Sequence, residues 1–168
     1  MLDLKRHVVD VPDFPRPGIL FRDITPLLRI HFAATLDALD ALFDAREWAA
    51  AQAVAGIESR GFILAAALAA RHDKGFVPVR KQGKLPPPVE VMAYALEYGT
   101  GVLEMQRGGG ALLLIDDVVA TGGTMAAAAQ LCALAGYEVH GLAALIDLRL
   151  SGEFQWGELP LRSVLRYD

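Results

Sequence analysis

The chain has 168 residues, enough for one domain with a sizeable core, and 54% of them are hydrophobic. Its formal net charge of −4 argues against a surface for nucleic-acid duplexes, which needs a basic face. The single cysteine, Cys132, excludes an intramolecular disulfide, and no apolar run is long enough to cross a membrane. The N-terminus MLDLKRHVVD has no apolar signal-peptide core. We therefore expect a cytoplasmic protein that binds neither nucleic acid nor membranes.

The N-terminal segment 13–23, DFPRPGILFRD, is rich in proline and glycine and cannot form a helix. Because it precedes the predicted sheet, we expect it to cap the functional site. A helix is predicted at about 32–43.

Short apolar runs alternate with helical patterns along the rest of the chain, which predicts parallel βαβ units and an α/β fold. The predicted strands are 53–57, 76–79, 112–115, 139–146 and 163–165. The predicted helices that follow the first and third of them are 62–71 and 125–135, the second with Gly136 as its C-cap.

Three unusual loops follow predicted strands, at 58–61, 80–84 and 116–124. In parallel sheets ligands bind outside the carboxyl ends of the strands, at a topological switch point. The three loops therefore predict one shared site.

The stretch 112–124, LLLIDDVVATGGT, is the most informative in the chain. An apolar strand leads to Asp116 and Asp117, whose carboxylates can accept hydrogen bonds from sugar hydroxyls or lie near a metal carried by the ligand. A small, hydroxyl-rich turn at a helix N-terminus then suits a phosphate. The residues of this turn are Ala120, Thr121, Gly122, Gly123 and Thr124. The order predicts a ligand that combines a phosphate with a diol-bearing sugar.

Positive charge is concentrated in one place, at Arg80, Lys81 and Lys84. Such a run can be a solvated face, but after an apolar strand it also suits an anion site. The segment 82–98 that follows contains three consecutive prolines, which exclude a helix there. Long loops in compact domains often close over ligands, so we expect a mobile lid.

The stretch 112–124 resembles the signature with which type I phosphoribosyltransferases bind phosphoribosyl diphosphate (PRPP). Four further segments, DFPRPGILFRDITPLL, GIESRGFIL, FVPVRKQGKLP and LEYG, are similar to the adenine phosphoribosyltransferase family within that group. The resemblance covers nearly the whole chain in the right order. It implies one phosphoribosyltransferase domain over 1–168, a central parallel sheet of about five strands, a hood mainly at 1–30, and a homodimer. It also implies that adenine and PRPP react to give AMP and pyrophosphate, with Mg²⁺.

The resemblance also implies roles for residues that match the family motifs. The turn at 120–124 would hold the 5′-phosphate, and Asp116 and Asp117 would face the ribose hydroxyls. Mg²⁺ would be held mainly by PRPP, with help from these two acids rather than from a dedicated protein site. The pyrophosphate would meet Glu58, Ser59, Arg60, Gly61, Arg80, Lys81 and Lys84, the last three partly across the dimer interface. In the family, the turn at 58–61 often contains a non-proline cis peptide.

Adenine would contact Leu20, Phe21 and Arg22 in the hood, with Phe21 as a stacking ring. Glu97 would manage a proton on the purine, and Tyr98 would lie beside it on the lid. The catalytic candidates are thus Glu97, Asp116, Asp117 and Arg60.

Two features depart from the family pattern. The segment 104–111 is shorter, with three glycines in place of a Pro-Gly turn, and the lid lacks serine and threonine. Two alternatives stay open from the sequence: a phosphoribosyltransferase for hypoxanthine or guanine, and a regulator that senses PRPP without catalysis.

Overall fold

The computed structural model describes residues 2–96 and 99–167. The chain divides into two compact units, Met1–Ala38 and Leu39–Asp168. None of the helices in the described ranges is long and apolar enough to cross a membrane.

The first unit is built around a β-hairpin. A 3₁₀ turn at Leu4–His7 leads into strand β1 (Val9–Pro12), which pairs antiparallel with β2 (Leu20–Asp23). Helix α1 (Thr25–Ile30) and the start of α2 (Phe32–Asp40) follow. The prediction that 13–23 is not helical is confirmed, because this segment forms the hairpin loop and its second strand.

The second unit is a mixed eight-stranded sheet with helices. Its elements are α3 (Ala45–Ala50), β3 (Ala53–Ile57), α4 (Arg60–Arg71), β4 (Gly75–Lys81), β5 (Val89–Leu96), β6 (Gly99–Gln106), β7 (Gly110–Val119), α5 (Gly123–Leu134), β8 (Tyr137–Asp147), β9 (Gln155–Trp156) and β10 (Leu159–Arg166). The strand order is β5-β6-β4-β3-β7-β8-β10-β9. The five strands β4, β3, β7, β8 and β10 run parallel, and the strands outside them pair antiparallel. The predicted α/β fold with a parallel core of five strands is confirmed.

The chain order reverses between β3 and β7, which are neighbours in the sheet. From β3 the chain passes through α4 to β4 on one side, and from β7 it passes through α5 to β8 on the other. This reversal is the topological switch point at which open parallel sheets bind ligands. It places the loop after β3 beside the end of β7.

Burial explains why the central strands form. Leu112, Leu113, Leu114 and Ile115 on β7 are all fully buried, as expected for a strand covered on both faces. Cys132 in α5 is also buried, and burial raises the pKa of its thiol to about 12, so it packs as an unreactive free thiol. Gly136 was predicted as the C-cap of α5, but the C-cap is Ala135, and Gly136 is the next residue, with the left-handed φ of +100° that commonly ends a helix.

The segment 82–98 differs from the predicted loop over part of its length. Residues of β5 pair antiparallel with β6 in the register Val89↔Gln106 to Leu96↔Gly99, and the three prolines lie just before β5. Burial alternates along most of β5, but its sequence VEVMAYAL is almost entirely apolar and shows no alternation of apolar and polar residues, so the sequence offers little sign of a half-buried strand there. Whether the segment moves stays a prediction.

Candidate active site

Asp116 and Asp117 lie within β7, near its carboxyl end. The sequence predicted that the strand would end before them, but pairing with β8 continues to Val119↔Asp147 and carries the strand past the acids. At the carboxyl end of β7, a pocket of about 120 Å³ lies between Asp116 and the turn into α5. The pocket is lined by Asp116, Val118, Val119, Ala120, Thr121, Gly122, Gly123, Thr124 and Met125. The acid Asp116 and the predicted phosphate turn thus share one pocket.

The start of α5 is suited to an anion. Gly122 is the N-cap residue and has a φ of +90°, a left-handed conformation that glycine adopts without a steric penalty. No side chain caps this end of the helix. The first N–H groups of a helix have no partner within it, and together with the helix dipole they favour a bound phosphate.

Phe154 packs behind this turn. A Cβ on Gly122 would collide with the Phe154 ring, so the ring and the glycine backbone are in close contact. The chain just before Phe154 is also hydrogen-bonded to the end of β7 and the turn, with Leu148 N–H donating to the Val119 carbonyl over 2.9 Å and Leu150 N–H donating to the Ala120 carbonyl over 3.2 Å. The local sequence gives no sign of this support, which comes from residues 29 to 32 positions downstream.

The turn after β3 meets the acid pair directly. Arg60, the first residue of α4, has its Nη2 2.6 Å from Oδ2 of Asp117. Gly61 lies against Asp116, because a Cβ there would be 2.9 Å from Oδ1 of Asp116. The Glu58–Ser59 peptide is cis, as the family resemblance suggested. The structure therefore brings the loop 58–61 against the acid pair, and Glu58 of the same loop also contacts the third predicted loop, 80–84.

The surroundings of the acid pair oppose ionisation of the Asp116 carboxyl group. Both residues are buried: Asp116 is 6% exposed and Asp117 is 8% exposed. Burial raises the pKa of Asp116 well above its ordinary value, and the adjacent Asp117 raises it further. The backbone N–H of Asp117 donates to Oδ1 of Asp116 over 2.8 Å and partly offsets that rise. The positively charged guanidinium of Arg60 also lowers the pKa of Asp116.

The predicted loop 80–84, called the basic loop below together with Leu85, begins within β4, because pairing with β6 extends that strand to Lys81. Carboxylates hold this loop. Oε2 of Glu58 accepts a hydrogen bond from the Lys81 N–H over 2.8 Å and lies 3.4 Å from Nε of Arg80. The Glu58 side chain is thus engaged with the basic loop, although the sequence placed this residue among those that meet the pyrophosphate. Burial works against ionisation of Glu58, but these donors outweigh it and lower its pKa. Lys81 and Lys84 are exposed to solvent.

Glu104, which the sequence predictions did not include, contacts the basic loop. It lies on β6, is only 3% exposed, and pairs in register with Arg80 of the basic loop. Its carboxylate accepts hydrogen bonds from three consecutive backbone N–H groups, those of Gly83, Lys84 and Leu85. A lone acid between the apolar Leu103 and Met105 was the available signal.

The residues predicted to contact adenine lie on the hairpin of the first unit. Leu20 is exposed, and the Phe21 ring meets the Phe14 ring edge-to-face with centroids 5.1 Å apart. Arg22 forms an ion pair with Asp10. The role of these residues at the purine stays a prediction. Glu97 and Tyr98 lie outside the described residues.

Comparison with known proteins agrees with this geometry. The sequence model of the family described as phosphoribosyl transferase domain matches residues 36–162. The adenine phosphoribosyltransferase of Hydrogenovibrio crunogenus is 55% identical over 166 residues, covering 98% of this chain and 96% of the relative.

Two solved structures are similar in fold. The crystal structure of adenine phosphoribosyltransferase from Rhodothermus marinus has a TM-score of 0.88 and 46% identity, covering 97% of this chain and 96% of that one. The enzyme from Saccharomyces cerevisiae, solved with adenine and an iminoaltritol bisphosphate, has a TM-score of 0.87 and 34% identity, with 96% of each chain covered.

The fold and the site define a type I phosphoribosyltransferase. Within that class, the chain belongs to the adenine phosphoribosyltransferase family of transferases.

Proposed function

We propose that this protein transfers the 5-phosphoribosyl group of PRPP to adenine. The bond between the anomeric carbon and the pyrophosphate oxygen breaks, and pyrophosphate leaves with the electron pair. A bond from N9 of adenine to the anomeric carbon forms, and the N9 proton is lost, which gives AMP. The observation that carries the proposal is the pocket shared by Asp116 and the helix N-terminal turn, with the Arg60–Asp117 pair at its side.

The pocket supports binding of the ribose 5-phosphate half of PRPP. The N–H groups at the start of α5 would hold the phosphate, with the hydroxyls of Thr121 and Thr124 as additional donors. Asp116 and Asp117 would accept hydrogen bonds from the ribose hydroxyls. Their negative charge would also stabilise the positive charge that develops on the ribose ring in the transition state.

The other half of PRPP is an anion that needs positive charge. Arg60, Arg80, Lys81 and Lys84 would supply it, together with backbone groups of Ser59 and Gly61. No group of three or more His, Cys, Asp or Glu side chains in 2–96 and 99–167 could hold a metal ion. Following the family resemblance, Mg²⁺ would be held mainly by PRPP and would neutralise charge on the leaving pyrophosphate, with help from Asp116, which lines the pocket, and from Asp117.

Adenine specificity is assigned, following the family resemblance, to Leu20, Phe21 and Arg22. Glu97 would hold or accept a proton on the purine, acting at N7 rather than by abstracting the N9 proton directly. The segment 82–98 would close over the bound substrates and exclude water, which would otherwise hydrolyse the activated sugar.

The assembly and location follow the same resemblance. We expect a cytoplasmic homodimer. Ile63 on α4 and Phe76 on β4 are 44% and 37% exposed, which leaves large apolar side chains on the surface available for a second copy. Sedimentation velocity would test the dimer, and a monomer at micromolar concentration would contradict it.

The decisive experiment is AMP formation by the purified protein. Adenine, hypoxanthine, guanine and xanthine would each be offered with PRPP and Mg²⁺, and the products would be separated by chromatography. We expect AMP from adenine and far slower reaction with the other bases. Preference for hypoxanthine or guanine would reassign the base, and PRPP binding with no product from any base would indicate a sensor instead of an enzyme.

A further inference from the structure

Glu104 holds the backbone of the basic loop. Oε1 accepts from the N–H groups of Lys84 and Leu85, each over 2.6 Å, and Oε2 accepts from the N–H of Gly83 over 3.0 Å. A single carboxylate thus receives three adjacent backbone donors from a turn about 20 residues earlier in the chain. This is a specific arrangement, because a buried carboxylate without such donors is strongly unfavourable.

The rest of the loop is attached to the same framework. Nη1 of Arg80 donates to the Lys84 carbonyl over 3.3 Å, and Glu58 accepts from the Lys81 N–H over 2.8 Å. The backbone from which the two exposed lysines extend is therefore fixed at both ends by carboxylates. Burial disfavours the charged form of Glu104, but the three backbone donors outweigh this effect and lower its pKa, so it is ionised at neutral pH.

We propose that Glu104 is a positioning residue for the pyrophosphate half of the substrate. It fixes the turn 83–85, so that the positive charges of Lys84 and Lys81 are already in place before the anion binds. The loop therefore does not have to become ordered on binding. The proposal rests on the proposed function. It predicts that Glu104 matters for PRPP and for pyrophosphate and does not matter for AMP, which has no pyrophosphate group.

The test compares Glu104→Gln with Glu47→Gln. Glutamine keeps the size of the side chain but puts an NH₂ group, a donor, where one carboxylate oxygen accepts. Glu47 is the matched control, because its carboxylate is engaged in a structural pair with Arg162, with Oε1 2.6 Å from Nη2, and has no role at the site. Both variants lose one hydrogen-bonded negative charge, from a buried side chain in Glu104 and a half-buried one in Glu47.

We expect Glu104→Gln to raise the KM for PRPP in the forward reaction and for pyrophosphate in the reverse reaction by about tenfold or more, as for loss of a charge-assisted hydrogen-bond acceptor. The Kd for AMP should stay within about twofold of wild type, since the turn before α5 is untouched. Glu47→Gln should lower thermal stability and leave all three constants nearly unchanged. Amide hydrogen exchange at 83–85 should be protected in wild type and fast in Glu104→Gln.

Several results would overturn the proposal. A KM for pyrophosphate equal to that of Glu47→Gln would show that the loop does not need Glu104, and an equal loss of AMP affinity would show a general structural role. If Glu104→Gln does not fold, Glu104→Asp keeps the charge but withdraws it from the turn, and it must show the same selective loss. A wild-type protein that forms no AMP would instead refute the proposed function.

Discussion

The guanidinium of Arg60 lies 2.6 Å from the carboxylate of Asp117, which joins the turn after β3 to the end of β7. The contact crosses the switch point of the sheet, so a residue assigned to the pyrophosphate touches a residue assigned to the ribose. PRPP carries both groups on adjacent parts of one molecule. The pair also offsets part of the repulsion between the two neighbouring acids, which would otherwise oppose folding.

Asp116→Asn should make the free protein more stable. A carboxyl group whose pKa is raised by folding opposes folding at every pH above its unfolded pKa of about 3.9. The amide removes that cost and can still accept the hydrogen bond from the Asp117 N–H. We expect the Tm at pH 7 to rise by about 2–4 °C, the shift that 1 kcal/mol produces in a domain of this size.

The pH dependence is the internal control for this variant. The difference in Tm between variant and wild type should shrink as the pH falls and Asp116 becomes protonated in the folded protein. A Tm lower than that of wild type at pH 7 would mean that the charge of Asp116 stabilises the free protein.

Removal of both acids should impair use of PRPP. Asp116→Asn combined with Asp117→Asn should lower kcat/KM for PRPP by about tenfold or more, since each lost charge-assisted contact costs about 1.5–3 kcal/mol. Circular dichroism should show that the fold survives. Steady-state rates with varied PRPP would measure the effect, and turnover at the wild-type level would refute a ribose-binding role for the pair.

The two glycines of the phosphate turn should respond differently to substitution. A Cβ on either glycine could block the approach of the phosphate or the backbone angle that the turn needs. In the structure only Gly122 has a positive φ and the Phe154 ring against it, whereas a Cβ on Gly123 would meet its nearest neighbour, the Ala95 carbonyl oxygen, at an ordinary 3.6 Å. Gly122→Ala should therefore destabilise the free protein and abolish the rise in Tm that PRPP produces.

Gly123→Ala is the matched control, and it should keep the Tm of the ligand-free protein. Thermal unfolding with and without PRPP measures both effects. If PRPP raises the Tm of Gly122→Ala as much as that of the wild-type protein, the phosphate binds elsewhere.

Ligand should protect the segment 82–98 from proteases. We predict that this segment, apart from the turn 83–85 that Glu104 holds, is mobile without ligand and ordered when PRPP or AMP is bound. Chymotrypsin can cut at Tyr94, so limited proteolysis followed by mass spectrometry would locate early cleavage. Cleavage by trypsin after Lys74, outside the segment, serves as the reference. Equal rates of cutting with and without saturating ligand would argue against closure.

Glu97→Gln separates an enzyme from a binding protein most directly. Glutamine preserves much of the hydrogen-bonding shape but cannot hold a negative charge or take up a proton. Loss of one positioned acid or base group costs about 10²–10⁴-fold in rate, so kcat should fall strongly while AMP formation stays detectable. PRPP affinity should be nearly unchanged, and the pH–rate profile should shift. A fall in kcat of less than about threefold, far smaller than this expected loss, would mean that catalysis depends on positioning and charge alone.

Local patterns in the sequence determined much of the parallel core. The strand at Ala53–Ile57 has the predicted bounds, and the turn from β7 into α5 lies where the acids and glycines indicated. These features depend on neighbours in sequence: an apolar run forms a buried strand, and a glycine allows the left-handed turn that starts the next helix. The family signature was recognisable for the same reason, since its residues are contiguous.

Only the tertiary structure decided which separate segments meet. Arg60 and Asp117 are 57 positions apart in the numbering, and their contact depends on β3 and β7 being sheet neighbours. The contact of the Glu104 carboxylate with the basic loop and that of the Phe154 ring with Gly122 likewise join segments that are far apart along the chain. The physical reason is that a local pattern specifies burial and backbone conformation, whereas the partner of a buried charge or ring is set by the packing of the whole sheet.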